Sequence, residues 1–331
     1  MCAWWRRTIG LMLKRTLISA LTLASLAAPA AAGAADTVVV PGAVASRLTA
    51  LDGHIVWTTG RFPSQTLMQR GSDGTVAPVP GAPKAVYLSI DLGHDASGKL
   101  VLTYLRCEGT KNCKAISDNL AGRRVSYKRL VPSLCALTSA PSRWNDRVAY
   151  GLTCDRMSGG RRVHDGARSG LFVRKHAVAA KRLRLPRDAV KFNMDSVAWV
   201  DLRGTNVGAG VVDVYKYAFV QTVNGSNLRS DFVGGSEGDS EAQIVGQSLG
   251  SGTLLWTLVD AFHAGDPNVS AISRIIDADC AEFESVENPR GPKEAEGYRY
   301  EAMAVDGRTM VLYAPGTGLV THTFTPSRPC A

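Results

Sequence analysis

The chain has 331 residues and a formal net charge of +9, with 33 glycines and 15 prolines, a content that fits many tight connections better than long helices. Beyond the first 35 residues no apolar run approaches the roughly 20 residues a membrane-spanning helix needs. The basic residues cluster without interleaved aromatics, which argues against nucleic-acid binding.

Arg6, Arg7, Lys14 and Arg15 precede an apolar stretch from Leu17 to Ala28, and no acidic residue occurs before Asp36. That order is the order of a signal peptide. Small-x-small sites end at Ala30, Ala32 and Ala34, so residues 1–35 are expected to be removed and 36–331 to form the mature chain. The apolar core of roughly 12 residues is too short for a permanent anchor, leaving no transmembrane segment after cleavage. An extracytoplasmic place follows, secreted or associated with the cell envelope. Arg6-Arg7 leaves the twin-arginine route open beside the general one.

The mature chain is read as repeats. Short apolar runs ending in an aromatic residue recur at Ile55-Val56-Trp57, Val101 to Tyr104, Val148-Ala149-Tyr150, Val197-Ala198-Trp199, Leu254-Leu255-Trp256 and Val311-Leu312-Tyr313. Their aromatic ends lie 47, 46, 49, 57 and 57 residues apart. Turn signals precede most of them: Asp52-Gly53, Ser97-Gly98, Asn145-Asp146, Asp195, Ser251-Gly252 and Asp306-Gly307. Further β-like segments follow each run, as at Cys113 to Ile116 with Val125 to Leu130, Leu171 to Arg174 with Ala179 to Leu185, and Val211 to Val220 with Phe232-Val233. A period near 50 without helical stripes predicts an all-β chain, a β-propeller of six four-stranded blades filling residues 36–331. Thr37 to Val40 is placed as the strand that closes the last blade.

Export makes disulfides available, and six of the seven cysteines lie in the mature chain. Cys107 and Cys113 flank a polar turn, and Cys135 and Cys154 are centred beside Asn145-Asp146, so each pair is expected across a hairpin. Cys280 and Cys330 remain, a pair that would tie down the C-terminal tail. No C-x-x-C pair supports zinc, and the sequence calls for no cofactor.

The stretch Ser139 to Tyr150 (SAPSRWNDRVAY) resembles the repeat of TolB-like propellers, with weaker copies at Phe192 to Trp199 and Asp95 to Val101. The resemblance lacks the usual Ser-Pro before the turn. It implies a propeller fold and a tendency toward protein or ligand contact, and it carries over no catalytic residue.

Charge is strongly segregated. Residues 99–191 hold 21 Lys or Arg against 6 Asp or Glu, whereas residues 231–306 hold 4 against 15. Arg123, Arg124, Lys128 and Arg129 form a candidate anion-binding cluster, suited to an anionic cell-surface polymer, lipid headgroups or an envelope protein. Asp91, His94 and Asp95 are a second candidate, a polar site in a loop before the second blade that could hold calcium. Asp277, Asp279, Glu282 and Glu284 form a comparable acidic run. Gly234-Gly235-Ser236-Glu237-Gly238 matches a nucleophile elbow in spelling, but β-like sequence follows where the elbow needs a helix. The favoured reading is a non-catalytic binding or scaffolding propeller; the alternative is a propeller hydrolase or lyase acting on a carbohydrate or lactone.

Overall fold

The computed structural model describes residues 36–108, 113–127, 131–137, 140–173, 302–307 and 309–322 with their side chains, and the main chain of further strand residues between 111 and 323. Every named element is a strand, and every pairing is antiparallel. After β1 (Thr37–Pro41), the strands β2 (Arg47–Leu51), β3 (His54–Thr59), β4 (Thr66–Arg70) and β5 (Val76–Pro78) form one four-stranded meander. The next consists of β6 (Val86–His94), β7 (Leu100–Glu108), β8 (Lys111–Asp118) and β9 (Arg124–Ser126). A third sheet holds β10 (Cys135–Leu137), β11 (Ser142–Trp144), β12 (Arg147–Ser158), β13 (Arg161–His164), β14 (Gly170–Lys175) and β15 (Lys181–Arg182), with β12 at its centre.

Eight strands then run as a single meander: β16 (Asp188–Asn193), β17 (Ser196–Gly208), β18 (Val211–Thr222), β19 (Arg229–Glu237), β20 (Ser240–Leu249), β21 (Leu255–His263), β22 (Ala271–Ile276) and β23 (Phe283–Asn288). The sequence period predicts two separate blades here. Only two residues separate β19 from β20, so the strands must turn back on each other, and they pair at Ser236↔Glu241 and Glu237↔Ser240. The last sheet is β24 (Ala302–Asp306), β25 (Thr309–Ala314) and β26 (Gly318–Thr323), with β1 as its fourth strand. As the sequence predicts, Thr37–Pro41 thus completes the sheet made by the last three strands.

The aromatic runs fall on β3, β7, β12, β17, β21 and β25, each the strand paired next along its sheet after β2, β6, β10, β16, β20 and β24. In the first of them, Ile55 and Trp57 face a core shared with Ala302, Ala304, Val311 and Tyr313 of the last sheet. Val56, between them, faces the opposite core, shared with Tyr87, Ile90, Leu102 and Tyr104 of the next sheet. A strand buried on both faces reads as an unbroken apolar run rather than an alternating one. The hydrophobic core therefore lies between neighbouring sheets, stacked face to face. The inner strands form a ring: β24 packs beside β2, β2 beside β6, β6 beside β11, β11 beside β16, β16 beside β20, and β20 beside β24 again. The chain is a β-propeller.

Tyr87 is buried in the core between the first two sheets, with Leu51, Val56 and Leu67. Its ring meets Tyr104 edge-on at 5.5 Å, and its hydroxyl donates to the Pro83 carbonyl. Burial pushes the Tyr87 phenol up to about 12 from its ordinary 10. The unfolded chain gives up this proton near pH 10 and the folded chain keeps it until about 12, so the unfolded state binds fewer protons in that window. The stabilisation from the neutral phenol is complete below pH 10 and is lost as the pH rises toward 12. Thermal melting followed from pH 9 to 12 is expected to fall across that window. Tyr87→Phe is expected to flatten the fall; an unchanged slope would show that other groups cause it.

Candidate functional site

The polar residues singled out in the sequence lie on β6 and the turn after it, not in a loop before the blade. Inner strands carry polar side chains and glycine among their apolar ones, so β6 lacks the apolar run that marks a second strand. Asp91 is buried, and its carboxylate accepts the hydroxyl hydrogen of Ser142 on β11. Its own carbonyl accepts from Thr103 Oγ1 on β7 at 3.2 Å. The neighbouring Leu92 N–H donates to Thr49 Oγ1 on β2 at 3.0 Å, and Ser89 Oγ accepts from the Ala140 N–H. A buried polar group without such a partner would cost free energy. The Ser142 and Thr49 bonds come from adjacent inner strands and seam one sheet to the next.

His94 ends β6 and belongs to a second chain of contacts running from turn to turn. The carboxylate of Asp306, the last residue of β24, accepts from the Asp52 and Gly53 N–H groups at 2.9 and 2.6 Å. Asp52, between β2 and β3, has Oδ2 2.6 Å from His94 Nε2. The His94 ring meets Trp144 of β11 edge-on, with centroids 4.7 Å apart. Four consecutive sheets are thus linked at the turns that follow, or the residues that end, their inner strands. Asp52, Ser142, Trp144 and Asp306 are not singled out as site residues in the sequence. The signal that could have found them is the Asp-Gly pair repeated at 52–53 and 306–307.

Asp95 does something else again. Its Oδ1 accepts from the Ser97 hydroxyl, the Ser97 N–H and the Lys99 N–H, closing the β6–β7 turn. The Ser97 hydroxyl above all, helped by those amides, holds the carboxyl below its ordinary range. Asp91, His94 and Asp95 therefore face three different sets of partners. Among the described residues no group of three His, Cys, Asp or Glu side chains is disposed to hold a metal ion. Ser236 lies on β19 and is followed by β20, so the nucleophile-elbow spelling has two strands where that motif needs a strand and a helix. Of the acidic run, Asp277, Asp279 and Glu282 lie outside the described residues.

The basic cluster divides. Arg123 is exposed. Arg124 is engaged within the fold: its Nε donates to Asp118 Oδ2 at 2.6 Å, and Nη1 and Nη2 donate to the Gly81 and Pro80 carbonyls. The physical reason is Asp118, whose side chain is fully buried and needs a counter-charge. Lys128 and Arg129 lie outside the described residues. The expected disulfides Cys107–Cys113 and Cys135–Cys154 are both formed, the second joining directly paired residues of β10 and β12. Cys280 and Cys330 lie outside the described residues.

No family model matches the sequence, and no curated protein matches it either. Among solved structures the chain is similar to a mutant of the Aleuria aurantia lectin in complex with alpha-methyl-L-fucoside, at 10% identity and a TM-score of 0.41, over 85% of this chain and 91% of that one. It is also similar to the Penicillium chrysogenum alpha-L-arabinanase complexed with arabinobiose, at 11% identity and a TM-score of 0.42, over 87% and 97% of the two chains. A third likeness is to the SapL1 lectin in complex with alpha methyl fucoside, at 11% identity and a TM-score of 0.40, over 88% and 100%. The propeller assignment rests on this chain's own strand ring and closing sheet.

Proposed function

We propose that the protein is a six-bladed, TolB-like propeller, exported after loss of residues 1–35, that binds an anionic cell-surface polymer and converts no substrate. The observation that carries this reading is the division of labour among its polar side chains. Asp91, His94 and Asp95, the groups a catalytic reading would use, are each engaged in holding the strand ring or a turn. Arg123 remains exposed within the basic stretch, beside Lys128 and Arg129 in sequence. Two disulfides fit an oxidising compartment, where such a polymer would be met.

The test is capture of the mature, oxidised protein on immobilised dextran sulfate and polygalacturonate, with neutral dextran as control. Capture is expected at low ionic strength and is expected to weaken steeply as salt rises. The triple variant Arg123→Glu, Lys128→Glu, Arg129→Glu should lower it by at least about tenfold, through loss of attraction and added repulsion. Arg124 is left intact because it holds the fold. Equal capture on neutral dextran would overturn the electrostatic basis.

A further inference from the structure

One hairpin leaves its sheet altogether. The first half of β12 pairs with β14, from Arg147↔Lys175 to Leu152↔Gly170, whereas Asp155 to Ser158 pair with β13. All four residues of β13 and the last three of β12 are exposed, so this two-stranded ribbon packs on nothing among the described residues. Met157 and Val163 are 56% and 37% exposed. A two-stranded ribbon is at best marginally stable alone, so its shape must come from its ends. At the tip, Gly159 and Gly160 both have positive φ, 56° and 76°, as a tight two-residue hairpin turn requires. At the root, the Cys135–Cys154 disulfide fixes the strand, the Asp155 N–H donates to the Leu134 carbonyl at 2.8 Å, and Arg168 Nη2 donates to the Ser133 carbonyl at 2.9 Å.

The chemistry of the ribbon is selective. Residues 156–164 contain Arg156, Arg161 and Arg162 and no acid; Asp155 and Asp165 stand at the root. With about 3.3 Å of rise per residue, those carboxylates sit roughly 13 Å behind the tip. Directly paired residues share a face, so Arg156, Val163 and Arg161 lie on one side and Met157 and Arg162 on the other. Each side therefore sets arginine beside an exposed apolar group. An anionic polymer would engage the arginines alone and leave Met157 and Val163 in water. A lipid interface takes both, with guanidinium groups at the phosphates and apolar side chains at the acyl boundary.

We propose that the β12–β13 ribbon is an arm that docks tip-first on an anionic bilayer surface. It uses other residues than the polymer site and stands whether or not that reading holds. The test is co-sedimentation of the mature protein with vesicles of phosphatidylcholine alone and of phosphatidylcholine mixed with phosphatidylglycerol. Partition onto the mixed vesicles only is expected. Arg161→Glu with Arg162→Glu should reduce it by roughly 20-fold or more, given about fivefold for each basic residue near the surface. Met157→Ser, which leaves the charge intact, should reduce it several-fold. Met157→Trp should keep binding and shift its fluorescence to the blue on the mixed vesicles. Unchanged thermal melting in these variants would show that the fold is intact. Equal partition onto neutral vesicles, or full partition by the Arg161→Glu, Arg162→Glu protein, would overturn the proposal. A Met157→Ser protein that binds normally, together with loss of dextran sulfate capture in the arginine pair variant, would assign the ribbon to a polymer instead.

Discussion

Replacing Arg124 with alanine is expected to destabilise the protein by about 3–5 kcal/mol, the usual cost of leaving one member of a buried ion pair without the other. Asp118 has no exposed side-chain surface, and its Oδ2 receives the Arg124 Nε at 2.6 Å while Oδ1 accepts from the Leu120 N–H at 2.9 Å. Without Arg124, one oxygen keeps an amide and the charge keeps no cation. The Gly81 and Pro80 carbonyls also lose their donors, and they lie in the connection between β5 and β6. Arg124→Lys should recover part of the loss, because an ammonium supplies the charge without the planar fork that reaches all three acceptors. Asp118→Asn combined with Arg124→Met should recover more, since removing both charges removes the uncompensated one. Urea unfolding of the four proteins checks the series. A cost under about 1 kcal/mol for Arg124→Ala would place the pair among solvated surface bridges.

Gly93→Ala is expected to cost about 3 kcal/mol or more, at the upper end of what overpacking a core costs. A Cβ at residue 93 would lie 1.8 Å from the Arg143 carbonyl oxygen, a main-chain atom with no rotamer to move aside. The inner strands β6 and β11 would have to separate, and the Asp91–Ser142 bond and the His94–Trp144 contact between them would go too. Gly98→Ala is the comparison, because its Cβ would meet nothing within 4 Å and only its φ of +75° resists the change. That variant should lose roughly 1–2 kcal/mol, the cost of the left-handed conformation alone. Midpoints of urea unfolding distinguish the two costs, and equal losses would show that the strand approach at Gly93 relaxes freely.

These expectations share one cause. The strand ring closes only if each inner strand finds its neighbour, so residues that join sheets matter more than the same residue types elsewhere. Asp91 and His94 precede a turn and Arg124 sits within the basic stretch, which gave them the outward appearance of binding residues in sequence. The partners that join one sheet to the next lie far along the chain: Ser142 is 51 residues from Asp91, Asp52 is 42 from His94, and Gly81 is 43 from Arg124, whose ion-pair partner Asp118 is only 6 away. No local pattern announces such a pairing.

What the sequence alone determined is the β-rich repeat, the apolar strands that carry the aromatic runs, the closing strand near the N-terminus and two disulfides. Strands such as β3 and β7 are buried on both faces, so each writes an unbroken apolar run ending in an aromatic, and hairpin cysteines lie symmetrically about their turns. The inner strands were hidden because their polar groups are satisfied by the next sheet rather than by a neighbour in sequence. Tertiary structure alone decided that Asp91 and His94 hold the ring, that Arg124 pairs with the buried Asp118, and that the arginines of β12 and β13 stand out on a ribbon. A charged side chain reads the same in sequence whether it faces water or a carboxylate, and only the packed neighbours distinguish the two.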